Sequence, residues 1–195
     1  MSKKDSLLSA AAGLGVAVFL VPTLLNTNIG SKIPLFPLSL LALPVFTYGG
    51  MFVASIIGRS FPILWQLAKF ALVGVLNTAI DFGALNFLIA RTGVVSGPLI
   101  IALNATSFSL AVINSYFWNK GWVFPEGKKS NFLTFFAVTL VGLAINSGVV
   151  FILTTFVSPV FVTSSKLWAN LAKVLATGLS LVWNFLGYRL IVFKR

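Results

Sequence analysis

Apolar residues run through this chain in long blocks, without the two-residue alternation of a half-buried strand or the narrow apolar stripe of a soluble helix. Uncharged stretches cover 6–31, 33–58, 70–80, 82–90, 92–119 and 130–165. A helix needs roughly 20 apolar residues to span hydrocarbon, and lipid offers a bare backbone no hydrogen bonds, so blocks of this kind predict membrane-crossing helices. Six are predicted, at about Ser6–Leu25, Leu38–Ile57, Phe70–Ala90, Pro98–Asn119, Phe132–Val157 and Leu167–Leu186. Gly30, Pro34, Pro37, Pro62, Gly93, Gly97, Pro98, Pro125, Gly127 and Pro159 mark the breaks. Pro44 falls inside the second helix and predicts a kink there.

Composition agrees with that reading. The 195 residues are 58% hydrophobic and 9% charged, with a mean hydropathy of +1.01, which excludes a soluble globular domain. Cys and His are both absent, which removes disulfides, thiol nucleophiles, imidazole bases and the usual metal ligands. The acidic residues are Asp5, Asp81 and Glu126. With Asp5 expected in an N-terminal tail and Glu126 in a polar loop, Asp81 has no second carboxylate for acid–base work. Neither an enzyme nor a cofactor or metal site is expected.

The net charge of +11 would suit nucleic acid only if gathered on a soluble face. Instead the basic residues sit at helix ends, which predicts contact with anionic lipid and control of topology. With a cytoplasmic N-terminus, Lys3, Lys4, Arg59, Lys69, Lys120, Lys128, Lys129, Arg189, Lys194 and Arg195 fall on the cytoplasmic side, against Lys32, Arg91 and Lys166 outside. Both termini are therefore expected in the cytoplasm of a multi-pass plasma-membrane protein. The first segment starts like a signal peptide, yet its apolar run is long and no small-residue cleavage site follows. It is read as a retained signal-anchor helix.

The last four helices carry an internal repeat. KFALVGVLNTAIDFGALNFL (69–88) aligns with TFFAVTLVGLAINSGVVFIL (134–153), placing Asp81 on Asn146 and Gly83 on Gly148. SYFWNKGWVF (115–124) aligns with NFLGYRLIVF (184–193), placing Lys120 on Arg189. Each unit crosses twice, so the copies have one orientation and are related by an axis along the membrane normal. The expectation is an all-α membrane protein: a two-helix extension over 1–60, then a four-helix domain over 61–195 built as a tandem, parallel repeat of two helical hairpins (about 66–125 and 131–194).

These residues resemble the GtrA-like transmembrane domain family, whose domain is also found fused to polyprenyl-phosphate (dolichol-phosphate) mannose synthases. Lys69, Phe70, Gly74, Asn77 and Asp81 follow the family's opening pattern, and Ser115, Tyr116, Asn119, Lys120, Trp122 and Phe124 its closing motif. In the second copy Asn184, Phe185, Arg189 and Phe193 fit, whereas Tyr188 and Ile191 depart from it. The resemblance covers about Leu64 to Lys194. It implies cell-surface polysaccharide or glycolipid synthesis with a polyprenyl-phosphate-linked sugar, either by moving that lipid across the membrane or by supporting a partner glycosyltransferase.

An ionisable side chain at mid-bilayer costs on the order of 2.5–3.5 kcal/mol on insertion scales, so Asp81 and Lys173 each require a reason. At 1.5 Å per residue, Asp81 lies roughly 16 Å from the cytoplasmic start of the third predicted helix. Lys173 lies roughly 9 Å from the outer end of the sixth. In a core of about 30 Å their depths match to about 5 Å, which predicts pairing. Asn104 and Asn146, their repeat counterparts, fall at similar depth, and Asn77 shares a helical face with Asp81. Asn170, Lys173, Thr177, Ser180 and Asn184 share another. The bland reading is mutual neutralisation of two charges with helix-bridging amides. The functional one has Lys173 and the amides receiving phosphate or sugar hydroxyls, with Asp81 as counter-ion, and Asn119, Lys120, Asn184 and Arg189 meeting the phosphate at the cytoplasmic face. Lys128 and Lys129 read as topology charge, and Trp118, Trp122 and Trp183 as interface anchors or packing groups.

Three functions remain open from sequence. The first is a translocase (flippase) of a polyprenyl-phosphate-linked sugar. The second is a non-transporting subunit that docks a membrane-associated glycosyltransferase. The third is a proton-coupled exporter of small cations using Asp81. Anionic lipid and a second copy of the chain complete the expected partners.

Overall fold

The computed structural model describes residues 1–123, 132–159, 162–187 and 191, and these form an all-α protein. Six long helices follow one another: α1 (Lys3–Asn26), α2 (Ala42–Ser60), α3 (Pro62–Thr92), α4 (Pro98–Trp118), α5 (Phe132–Phe156) and α6 (Ser165–Gly187). Among the described residues, spans within α1, α2 with its lead-in turn, α3, α4 with its following turn, and α5 are long and apolar enough to cross a membrane. The chain is thus a multi-pass membrane protein. α6 carries Lys166 and Lys173 and is amphipathic, with Ala169, Asn170, Ala172, Lys173, Ala176 and Ser180 buried and Val174, Leu175, Leu179 and Val182 exposed.

Several helix boundaries differ from those the apolar blocks predict. α1 begins at Lys3, because Ser2 and Asp5 form a capping box that satisfies the first free N–H groups. α3 begins at Pro62, eight residues before the predicted start. Proline read as a break is here the first helical residue, where its missing N–H costs nothing. Asp81 therefore lies about 28 Å from the start of its helix at 1.5 Å per residue, so the depth inferred from Phe70 does not follow from helix length. Pro44 lies in the first turn of α2, where its missing N–H costs no α-helical hydrogen bond, so the predicted kink is not required. Pro22, inside α1, is the proline in a helix interior. α3 ends at Gly93, whose φ of +72° places it in the left-handed region that closes helices. α4 runs on into a π-helical turn, Asn119–Val123.

The chain forms two compact units, Met1–Asn86 with Leu110–Glu126, and Phe87–Ser109 with Gly127–Arg195. In the first, Val16, Met51, Leu72, Val73, Leu76, Ile80, Ala111 and Trp122 belong to one apolar cluster. α1 meets α2 where Thr47 Oγ1 donates to the Ser9 carbonyl (3.1 Å). It meets α3 so closely that a methyl on Gly83 would collide with the Phe19 carbonyl. Contacts of this sort hold helices together in lipid, where packing and interhelical hydrogen bonds replace the hydrophobic drive. Asn26 and Asn86 add one such bond (2.8 Å) between α1 and α3.

In the second unit α5 and α6 pack along each other. Two indoles of α6 bind α5 carbonyls: Trp168 Nε1 donates to Leu153 (2.9 Å) and Trp183 Nε1 to Val138 (3.0 Å). Trp183 is accordingly a packing group. The α3–α4 connection is tied to α5 by the Gly97 N–H, which donates to Thr155 Oγ1 (2.7 Å).

Candidate functional site

The second unit centres on Lys173, which is wholly buried. Its ammonium donates to Asn104 Oδ1, to Ser107 Oγ at 3.3 Å and to Asn146 Oδ1 at 3.4 Å. These acceptors come from α4 and α5, and all are fully buried. The amides bind one another as well. Asn104 Nδ2 donates to Asn146 Oδ1 (2.8 Å) and Ser147 Oγ (3.1 Å), while Asn146 Nδ2 donates to Ser180 Oγ (3.5 Å).

Local sequence explains the arrangement. Asn104 and Ser107 are three apart on α4, and Lys173 and Ser180 lie two turns apart on α6, so each pair shares a helical face. Hydrogen bonds to a charged group contribute about 1.5–3 kcal/mol each, so two or three of them offset the roughly 2.5–3.5 kcal/mol insertion cost of the lysine. The result is a primary ammonium held among amide and hydroxyl oxygens.

Asp81 belongs to the first unit, buried on α3. Asn77, one turn earlier, accepts from Asn114 Nδ2 of α4 (2.7 Å). Asp81 and Lys173 thus fall in different units. Arg189, Lys128, Lys129 and Glu126 lie outside the described residues, as do the side chains of Asn119, Lys120 and Asn184.

The sequence reading misplaced Asp5 and missed Lys69 as its partner. Asp5 is no tail residue; it is buried in the first turn of α1. Its Oδ1 lies 2.8 Å from Lys69 Nζ and accepts from Trp122 Nε1 at 2.8 Å. Its Oδ2 accepts from the Ser2 N–H (3.1 Å) and hydroxyl (2.6 Å). The Lys69 ammonium also sits 4.7 Å and 5.5 Å from the ring centroids of Trp65 and Trp122, a cation–π arrangement. Trp122 is therefore a buried hydrogen-bonding group, packed edge-on against Trp118 at 5.6 Å. Beside it Lys4 Nζ donates to the Gly121 carbonyl (3.0 Å) and Gln66 Nε2 to that of Val123 (3.2 Å). A single acid at a capping position beside two lysines gave no local sign of such distant partners.

Residues 69–193 match the sequence profile described as the GtrA/DPMS transmembrane domain. The chain is also similar to the "uncharacterized membrane protein YngA" of Bacillus subtilis (strain 168), with 31% identity over 127 residues, covering 65% of this chain and 78% of that protein. No solved structure matches. Among the described residues there is no cluster of three metal-ligating side chains.

Proposed function

Since the chain belongs to the GtrA/DPMS transmembrane-domain family, whose domains are non-catalytic membrane modules, we propose that it translocates a polyprenyl-phosphate-linked sugar across the cell membrane for surface polysaccharide or glycolipid synthesis. The observation that carries this reading is the buried Lys173, ringed by Asn104, Ser107 and Asn146 inside an apolar bundle. A phosphate cannot cross hydrocarbon bare, and an ammonium offers it a charge-assisted bond that amide groups alone do not. Asn104 and Asn146 then serve as donors to the remaining phosphate oxygens or the sugar hydroxyls. Asn77 and Asp81 supply further polar groups on α3, and Asn119, Lys120, Asn184 and Arg189 meet the phosphate at the cytoplasmic face, with both termini on that side. The distribution of Lys and Arg along the sequence supports that orientation.

The experiment is a leaflet-crossing assay on reconstituted protein with a panel of labelled polyprenyl-phosphate sugars. Selective crossing of one sugar supports translocation. Absence of crossing, together with stable co-purification of a glycosyltransferase, would instead assign the role of an accessory subunit.

A further inference from the structure

We propose that the Lys69–Trp122 pocket is a second phosphate-binding site, and that the first turn of α1 is its built-in occupant, a latch that must lift for phosphate to enter. Four donors converge on the Asp5 carboxylate: the Lys69 ammonium, the Trp122 indole N–H, and the N–H and hydroxyl of Ser2. Two of them, on Lys69 and Trp122, lie within the residues that match the family profile, whereas Asp5 and Ser2 belong to the extension that precedes it. The extension thus places its own anion on the basic end of the family domain.

The pocket does not depend on Asp5 for its shape. Lys69 is held over the Trp65 and Trp122 rings, and Trp122 is packed against Trp118. With the latch lifted, an ammonium and an indole N–H remain side by side, poised for a tetrahedral oxyanion whose three oxygens accept more bonds than a carboxylate's two. Only the opening turn of α1 must move; its ties there include the Ser2–Asp5 capping box, the Asp5 contacts, the Lys4 bond to Gly121 and the packing of Met1 on the apolar cluster. The occupant is a lipid phosphate headgroup or free inorganic phosphate. This inference goes beyond the translocation reading and does not rest on Lys173.

The test is a phosphorus-NMR titration of the full chain in maltoside micelles, which contain no phosphate. One arm uses inorganic phosphate and the other a short polyprenyl monophosphate added to the micelles. Asp5→Asn, which keeps the shape and removes the charge, is expected to tighten binding on the order of tenfold, and Lys69→Met in that background to abolish the gain. A response in the lipid arm alone assigns the headgroup, and an equal response in both arms assigns the phosphate group itself. Unchanged or weaker binding by folded Asp5→Asn overturns the proposal. Should that variant not fold, the cysteine-free chain provides a second measurement. Lys4→Cys/Gly121→Cys, bridged by a short bifunctional reagent, is expected to lose phosphate binding relative to the unbridged protein. Equal binding with the latch bridged and free overturns the proposal as well.

Discussion

Replacing Gly83 with alanine tests how α1 sits on α3, and Gly148 supplies an internal control. The new Cβ would fall on the Phe19 carbonyl. That oxygen belongs to a helical backbone, so it cannot rotate aside as a flexible side chain would. Overpacking costs about 1–3 kcal/mol, and a backbone clash belongs in the upper half of that range. Against it stands the gain of roughly 1 kcal/mol for alanine over glycine within a helix. The net expectation is a loss of about 1–2 kcal/mol. Gly148 is the glycine that aligns with Gly83 in the sequence, and a Cβ there meets nothing within 4 Å. Gly148→Ala therefore keeps only the helix gain and is expected to stabilise by up to about 1 kcal/mol. Equilibrium unfolding in mixed detergent–SDS micelles, followed by circular dichroism, reads both. Shifts of the same sign, or Gly83→Ala as stable as the parent, would refute the close approach of α1 and α3.

Three further outcomes are expected. Asn146→Leu removes the bonds to Asn104, Lys173 and Ser180 and leaves buried polar atoms unpaired, so the same unfolding assay should show a loss of about 1–3 kcal/mol; a neutral effect would mean those bonds hold nothing together. Trp122→Phe shrinks a buried ring and loses the N–H to Asp5, so its cost should be about 1.5–3 kcal/mol larger in the parent than in an Asp5→Ala background, where only the lost packing remains. Equal costs in the two backgrounds would show that the pair is not coupled. For topology, single cysteines in this cysteine-free chain at Lys194 and Ser31 should label with an impermeant thiol reagent from the cytoplasmic and outer side respectively, and the reverse pattern would contradict cytoplasmic termini.

Much of the architecture was legible because lipid permits so few structures. Six helices were expected and six long ones are present among the described residues, five of them long and apolar enough to cross a membrane, since a helix satisfies its own backbone in hydrocarbon. Helix ends were less legible. Pro62 was read as a break because proline interrupts helices, although it also starts them well, and only the tertiary structure decides between these uses. Lys173, Asn104 and Asn146 stood out as rare polar groups in apolar helices, and the structure brings the three together.

Asp5 was illegible for the opposite reason. A charged residue among Lys3 and Lys4 looks like any solvated terminus, and its partners Lys69 and Trp122 lie on other elements. Gly83 drew notice in the sequence only by aligning with Gly148; its close approach to α1 depends on a helix outside the aligned segments.

In the proposed function the buried Lys173 ammonium carries the phosphate through the membrane. Wild-type protein and Lys173→Met are compared in reconstituted vesicles by following entry of a labelled polyprenyl-phosphate sugar into the opposite leaflet. Lys173→Met is expected to fold and to move the sugar across at least about tenfold more slowly, equivalent to about 1.4 kcal/mol on the barrier. Crossing at the wild-type rate in the folded variant would rule out that role for Lys173.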